Sequence, residues 1–191
     1  MTKSIYDGKR KFAIREEMFT YLKGENLVGL AGPNILRYIE FVTSKGFKSV
    51  LMYENNSDIA HIQCDTLGID KTPINEWACK ILNVPCHWKF GDILEAEFKP
   101  NTVYDLDFTF TMKSAEKYVK KFKENFIFTT TTRNFGIVKT LNCFFTWRKE
   151  SISTVTHCEN RYRSIIKTDV GTYLVYRYRD TTPMLSIVKM L

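Results

Sequence analysis

The sequence predicts an α/β fold of three layers, built on a mostly parallel sheet with an antiparallel β-hairpin at its C-terminal end. Three observations carry this. Short apolar runs beginning at Asn26, Phe47, Val84 and Thr102 alternate with stretches of helical period, the pattern of βαβ units and so of parallel strands. A turn containing Gly-Pro separates the first run from the stretch that follows it. The segment 161–190, above all GTYLVYRYRDTTPMLSIVKM, alternates apolar and polar residues around Asp180–Pro183, as the strands of a hairpin do.

Each element follows from its own residues. Residues 9–23 set Phe12, Ile14, Phe19 and Leu22 among charges, which predicts an amphipathic helix over a sheet edge. Residues 34–44 repeat Ile35, Tyr38, Ile39 and Val42 at steps of three and four, with Gly46 as the stop. The strand FKSVLMY ends at the polar cluster Glu54–Ser57, and a helix over 57–67 follows. Asp70–Asn83 reads as a further helix with Pro73 in its first turn. Val84–Phe90 and Thr102–Thr111 read as strands three and four, 113–125 as a basic helix and Phe126–Thr131 as strand five. No repeat or linker interrupts the chain, so one domain over 1–191 is expected, with 1–25 as an N-terminal helical cap.

Composition narrows the classes of function. The chain has 191 residues, 44% hydrophobic and 26% charged, the balance of a globular domain. No apolar run approaches the roughly 20 residues that span a bilayer, and the N-terminal MTKSIYDGKRKFAIREE has no apolar core of a secretory signal. The expectation is a cytoplasmic protein without membrane partners. Five cysteines form no CxxC pair, and Cys79, Cys86 and His87 match no common zinc spacing, so reduced thiols and no metal are expected. A net charge of +7 with 14% aromatic residues suits a polyanion such as RNA or DNA, whose phosphates attract cations and whose bases stack on rings.

In an open α/β sheet, ligands bind beyond the carboxyl ends of the strands. That rule selects three loops. Leu30–Asn34 lets backbone approach a ligand at Gly32, and Ala31 and Asn34 flank it, although Pro33 removes one N–H donor that a pyrophosphate would use. Glu54 closes the second strand about 20 residues past the glycine turn, where a carboxylate can accept both hydroxyl protons of a ribose, with Asn55 beside it. Asp92 follows the third strand and can accept an exocyclic amine, while Ile93 packs on the ring.

In this order the segments GLAGPN, LMYENN, KFGDILE and VYDLDFTFT resemble the motifs of class I, Rossmann-like S-adenosylmethionine-dependent methyltransferases. The C-terminal segment resembles that family's last hairpin. The resemblance spans roughly residues 26–190 and implies S-adenosylmethionine as cofactor. It puts Gly32 toward the methionine part, Glu54 at the ribose and Asp92 at the adenine, with Asn55 flanking the adenosine. The departures are that GLAGPN has neither the acid nor the third glycine of D-x-G-x-G, and that no Asn/Asp-Pro-Pro-Tyr or Pro-Cys stands at the fourth motif.

Methyl transfer from a sulfonium needs in-line positioning and at most one base. Asp107 is the candidate base, and Thr109 and Thr111 could orient an acceptor. Arg133 could grip a phosphate, as could Lys113 on the basic helix. Two other readings are a catalytically degenerate methyltransferase-like binder and a different nucleotide-binding α/β protein such as a small oxidoreductase. Pro33 and the C-terminal hairpin count against the last.

Overall fold

The computed structural model describes residues 9–68, 76–81, 84–133, 136–158, 162–179 and 182–190, with backbone only at 9–10, 76–81 and 109–113. Two compact units emerge: Lys23–Asp105 forms the body of the first, and Gly8–Leu22 with Leu106–Leu191 forms the second.

In the first unit the strands run in the order β3-β4-β2-β1-β5. They are β1 (Asn26–Gly29), β2 (Ser49–Glu54), β3 (Glu76–Ile81), β4 (Val84–Phe90) and β5 (Thr102–Thr111), the last continuing into the second unit. β1 pairs in parallel with β2 and β5, and β2 in parallel with β4. Helix α2 (Ile35–Thr43) buries Ile35, Tyr38, Ile39 and Val42, the residues whose spacing predicts it. Helix α3 (Ser57–Leu67) is capped at its start by Asn56, which accepts the N–H groups of Asp58 and Ile59. Gly68 ends it at φ 69°, a left-handed conformation that glycine takes without steric cost.

The helix expected over Asp70–Asn83 is corrected by the structure. Glu76–Ile81 is a strand, antiparallel to β4 from Glu76 opposite Lys89 to Ile81 opposite Val84. Residues 69–75 and 82–83 lie outside those described. The physical reason is local: β4 begins three residues after Ile81 and offers a hydrogen-bonding edge, and Trp77 and Ile81 suit a pleated surface better than a short helix. No helix joins β4 to β5 either. A 3-10 turn at Ile93–Glu95 and an irregular stretch make that crossing. One sheet face is therefore left as a groove of about 640 Å³, floored by Val28, Ser49, Leu51 and Tyr53.

The second unit continues β5 and adds β6 (Phe126–Thr131), β7 (Ile152–His157), β8 (Arg163–Thr168), β9 (Thr172–Arg179) and β10 (Pro183–Met190). The order of these five is β6-β10-β9-β8-β7, and every pair is antiparallel. The predicted hairpin is present as β9 and β10, and β8 and β7 extend it. Helices α1 (Lys9–Phe19), α4 (Met112–Lys121) and α5 (Ile137–Arg148) cover this part. Alternation along β9 sends Tyr173 and Tyr176 to opposite faces. Tyr173 meets Phe144 and Phe145 of α5, and Tyr176 donates to Glu17 of α1, so this unit has three layers. Its core is aromatic: Phe108 packs on Tyr118 and Phe128, and Phe128 on Phe144.

Candidate functional site

The loop after β1 is shaped by its first residue. Gly29 lies opposite Asp105 of β5, and a Cβ there would overlap the Tyr38 hydroxyl. That hydroxyl donates to Asp105 Oδ2 at 3.0 Å, within the core of the first unit. Leu30 N–H then bonds Asp105 O at 3.1 Å, turning the chain away from the strand. Gly32 sits at φ 66°, again left-handed. Asn34 precedes α2, whose first N–H groups receive no cap from its side chain.

Glu54 ends β2 with 6% of its surface exposed. Its Oε1 accepts the Asn56 N–H at 2.9 Å, and Gln63 Nε2 lies 3.5 Å from Oε2. Burial raises its pKa, opposed by the backbone N–H groups of Asn56 and Asn55. Asn55 itself is exposed. The Glu54 backbone carbonyl accepts the Gly91 N–H at 3.0 Å, which ties the end of β2 to the loop after β4. In that loop Asp92 Oδ1 accepts the Leu94 N–H at 3.0 Å and so caps the 3-10 turn, while Ile93 is only 2% exposed. Ile93 thus belongs to the core of the turn.

The residue that joins these pieces is Gln63, which sequence reasoning missed. It is fully buried on α3. Its Nε2 donates to Gly32 O at 2.6 Å and lies near Glu54, and its Oε1 accepts the Trp88 Nε1–H at 2.6 Å. One amide therefore fixes the glycine loop, the carboxylate and β4 together. The available signal was a polar residue one helical turn from Ala60 on the inward face of α3, where an unpaired amide would be costly.

This arrangement suits a nucleoside. A buried carboxylate whose Oε1 is oriented by a backbone N–H offers Oε2 to a pair of hydroxyl donors, next to a glycine turn with its carbonyl already satisfied. Gly32, Ala31, Asn34, Asn55 and Asp92 lie on loops at strand ends of the first unit, and Glu54 is the last residue of β2.

The expected acceptor residues belong to the second unit. Asp107 is bonded to Lys11, and Arg15 lies 2.9 Å from its Oδ2; the side chains are 7%, 4% and 4% exposed. Desolvation works to raise the Asp107 pKa, but Arg15 and Lys11 outweigh it and hold the carboxyl below its usual range. Such a carboxylate is a weak proton acceptor. Arg133 is exposed just past β6, its N–H bonded to Thr131 Oγ1 at 3.3 Å. The side chains of Thr109, Thr111 and Lys113 lie outside those described. Among the described residues no group of His, Cys, Asp and Glu is arranged to hold a metal ion, and no helix is long and apolar enough to cross a membrane.

The strand order, the parallel β1-β2-β4-β5 core and the antiparallel C-terminal strands give this chain the fold of class I S-adenosylmethionine-dependent methyltransferases. It is similar to a SAM-dependent O-methyltransferase from Thermotoga maritima, with a TM-score of 0.54 and 13% identity over 100% of this chain and 69% of that one. Similarity to the methyltransferase domain of a bacterial Hen1 reaches a TM-score of 0.56 at 10% identity, over 96% of this chain and 98% of that one. TrmK of M. capricolum, in complex with S-adenosylhomocysteine, gives 0.50 at 11% identity, over 97% and 69% of the two chains. No protein-family model matches the sequence, and no curated protein matches it.

Proposed function

We propose that the chain is an S-adenosylmethionine-dependent methyltransferase and that nucleic acid is its acceptor. The observation that carries the cofactor half is the Gly32–Gln63–Glu54 bridge at the ends of β1 and β2. Glu54 accepts the ribose hydroxyls, Gly32 and its neighbours Ala31 and Asn34 border the methionine part, Asp92 meets the adenine and Asn55 flanks the adenosine. When bound, the cofactor supplies an electrophilic methyl group on sulfur. The fold of its structural neighbours supports the reading: two of them are SAM-dependent methyltransferases, and TrmK was solved with S-adenosylhomocysteine. The acceptor half rests on the net charge of +7.

Calorimetry with S-adenosylhomocysteine tests the cofactor site. Glu54→Gln should weaken binding by the worth of a charged hydrogen bond, about 1.5–3 kcal/mol or roughly 10- to 150-fold in Kd. Absence of heat with the unsubstituted protein would remove the reading, and heat with NADH instead would make the protein an oxidoreductase.

One observation favours a second reading, a binder without catalysis: Asp107 is neutralised by Lys11 and Arg15. On that reading the cofactor binds, yet labelled methyl never reaches RNA or DNA oligonucleotides. On the first reading transfer occurs, and Asp107 acts as the buried anchor of α1 with no proton to take.

A further inference from the structure

Five strand ends of the second unit meet along one edge: the C-terminal ends of β6, β9 and β7 and the N-terminal ends of β10 and β8. The register fixes their sequence. Thr131 of β6 pairs with Met184 of β10, Pro183 of β10 with Arg179 of β9, Arg163 of β8 with Tyr176 of β9, and His157 of β7 with Ser164 of β8. Along that edge stand Arg133, Arg179, Arg177 and Tyr162.

Arg133 and Arg179 are exposed, and Tyr162 is 51% exposed. Arg177 is half-buried. Its N–H bonds Tyr162 O at 2.8 Å, and its NH2 reaches Ser164 Oγ at 3.4 Å. Its Nε is buried with no hydrogen-bond partner. Arg163 is not available, because Glu17 takes both its Nε and its NH2, at 3.1 and 2.8 Å. Among the described residues the row therefore offers three guanidinium groups and one half-exposed tyrosine. With strands about 4.8 Å apart, β6 to β7 covers roughly 19 Å.

We infer that this edge binds single-stranded nucleic acid, with Arg133, Arg177 and Arg179 on successive phosphates and Tyr162 stacked on an unpaired base. Planar guanidinium forks match phosphate oxygens, and an exposed ring beside them has a use on a strand whose bases are open. An acidic protein would use the arginines and leave the ring idle. The inference rests on the nucleic-acid half of the proposed function and gives it a surface.

The test is fluorescence anisotropy with a labelled 12-nucleotide single-stranded RNA, across a salt series and without cofactor. Three phosphate contacts give a slope of log affinity on log salt of about −2, at about −0.7 per contact. Arg133→Glu with Arg179→Glu, both on exposed positions, should weaken binding at least about tenfold and flatten the slope. Tyr162→Ala should weaken it roughly 5- to 150-fold. Lys120→Glu with Lys123→Glu, on and just past the basic helix α4, should change little. Unchanged affinity in the arginine pair, or an equal loss in the lysine pair, would overturn the assignment. Polyglutamate binding as tightly as the oligonucleotide would also overturn it, in favour of an acidic protein. Because no cofactor is present, failure here leaves the calorimetric test of Glu54 untouched, and the converse holds.

Discussion

Asp107→Asn takes the carboxylate from between Lys11 and Arg15 while keeping its shape. All three side chains are at least nine-tenths buried, so the two cations gain little from water when the anion is lost. Removing one partner of a buried ion pair costs about 3–5 kcal/mol. For a chain of this length each kcal/mol lowers Tm by about 2–4 °C, so a fall of about 6–20 °C is expected. Urea denaturation followed by circular dichroism measures the free energy directly. The triple change Lys11→Met, Arg15→Leu, Asp107→Leu should recover most of the loss, since apolar packing replaces a buried charge group at little net cost. The pH course has a definite sign. The folded pKa of Asp107 is depressed, so its contribution is present above the unfolded value of about 3.9 and lost as pH falls through the folded value. The gap between the two proteins should hold from neutrality to about pH 4 and close below it. A loss under about 1 kcal/mol at pH 7 would mean that the cluster is solvated and that the ion pairs carry little of the stability.

Gln63→Leu leaves the Trp88 indole N–H and the Gly32 carbonyl without their partner, and about 2–3 kcal/mol of stability should go with them, together with cofactor affinity, as thermal melts and calorimetry would read. Glu54→Gln should act in opposite directions on two observables. Burial raises the pKa of Glu54, so ionising it works against folding as pH rises, and the variant should melt higher without ligand at pH 8 while binding S-adenosylhomocysteine more weakly. For the same reason cofactor binding should fade on acidification sooner than an exposed glutamate would allow, which a pH series of calorimetry checks. Gly29→Ala should destabilise by about 1–3 kcal/mol through overlap with the Tyr38 hydroxyl, and Tyr38→Phe in the same chain should relieve part of it.

The strand ends were legible because their signals are local. Alternation, a glycine turn and a polar cluster after an apolar run mark β1, β2, β4 and β5 without reference to anything distant. The position of Glu54 could be read for the same reason, as the acid that closes a buried strand. What failed depends on pairing between segments, near or far along the chain. Glu76–Ile81 is a strand because β4 supplies an edge. Asp107 reads as a lone carboxylate until Lys11 and Arg15, more than 90 residues earlier, are seen upon it. Gln63 has no motif at all; its role appears only where β1, β2 and β4 end together. Helix α5 escaped because its inward face is carried by Phe144 and Phe145, aromatic residues that suit strands as well as helices.

Helix α1 has a consequence for the order in which this protein can assemble on the ribosome. Two of its partners are made long after it: Glu17 meets Arg163 and Tyr176, which follow it by 146 and 159 residues. Eleven residues are too few to stay helical alone in water. At synthesis rates of about 5–20 residues per second, the segment waits roughly ten to thirty seconds before any of those partners exists. The second unit is thus closed by contacts between segments distant in sequence, and a nascent chain cut short before β8 lacks both partners of Glu17.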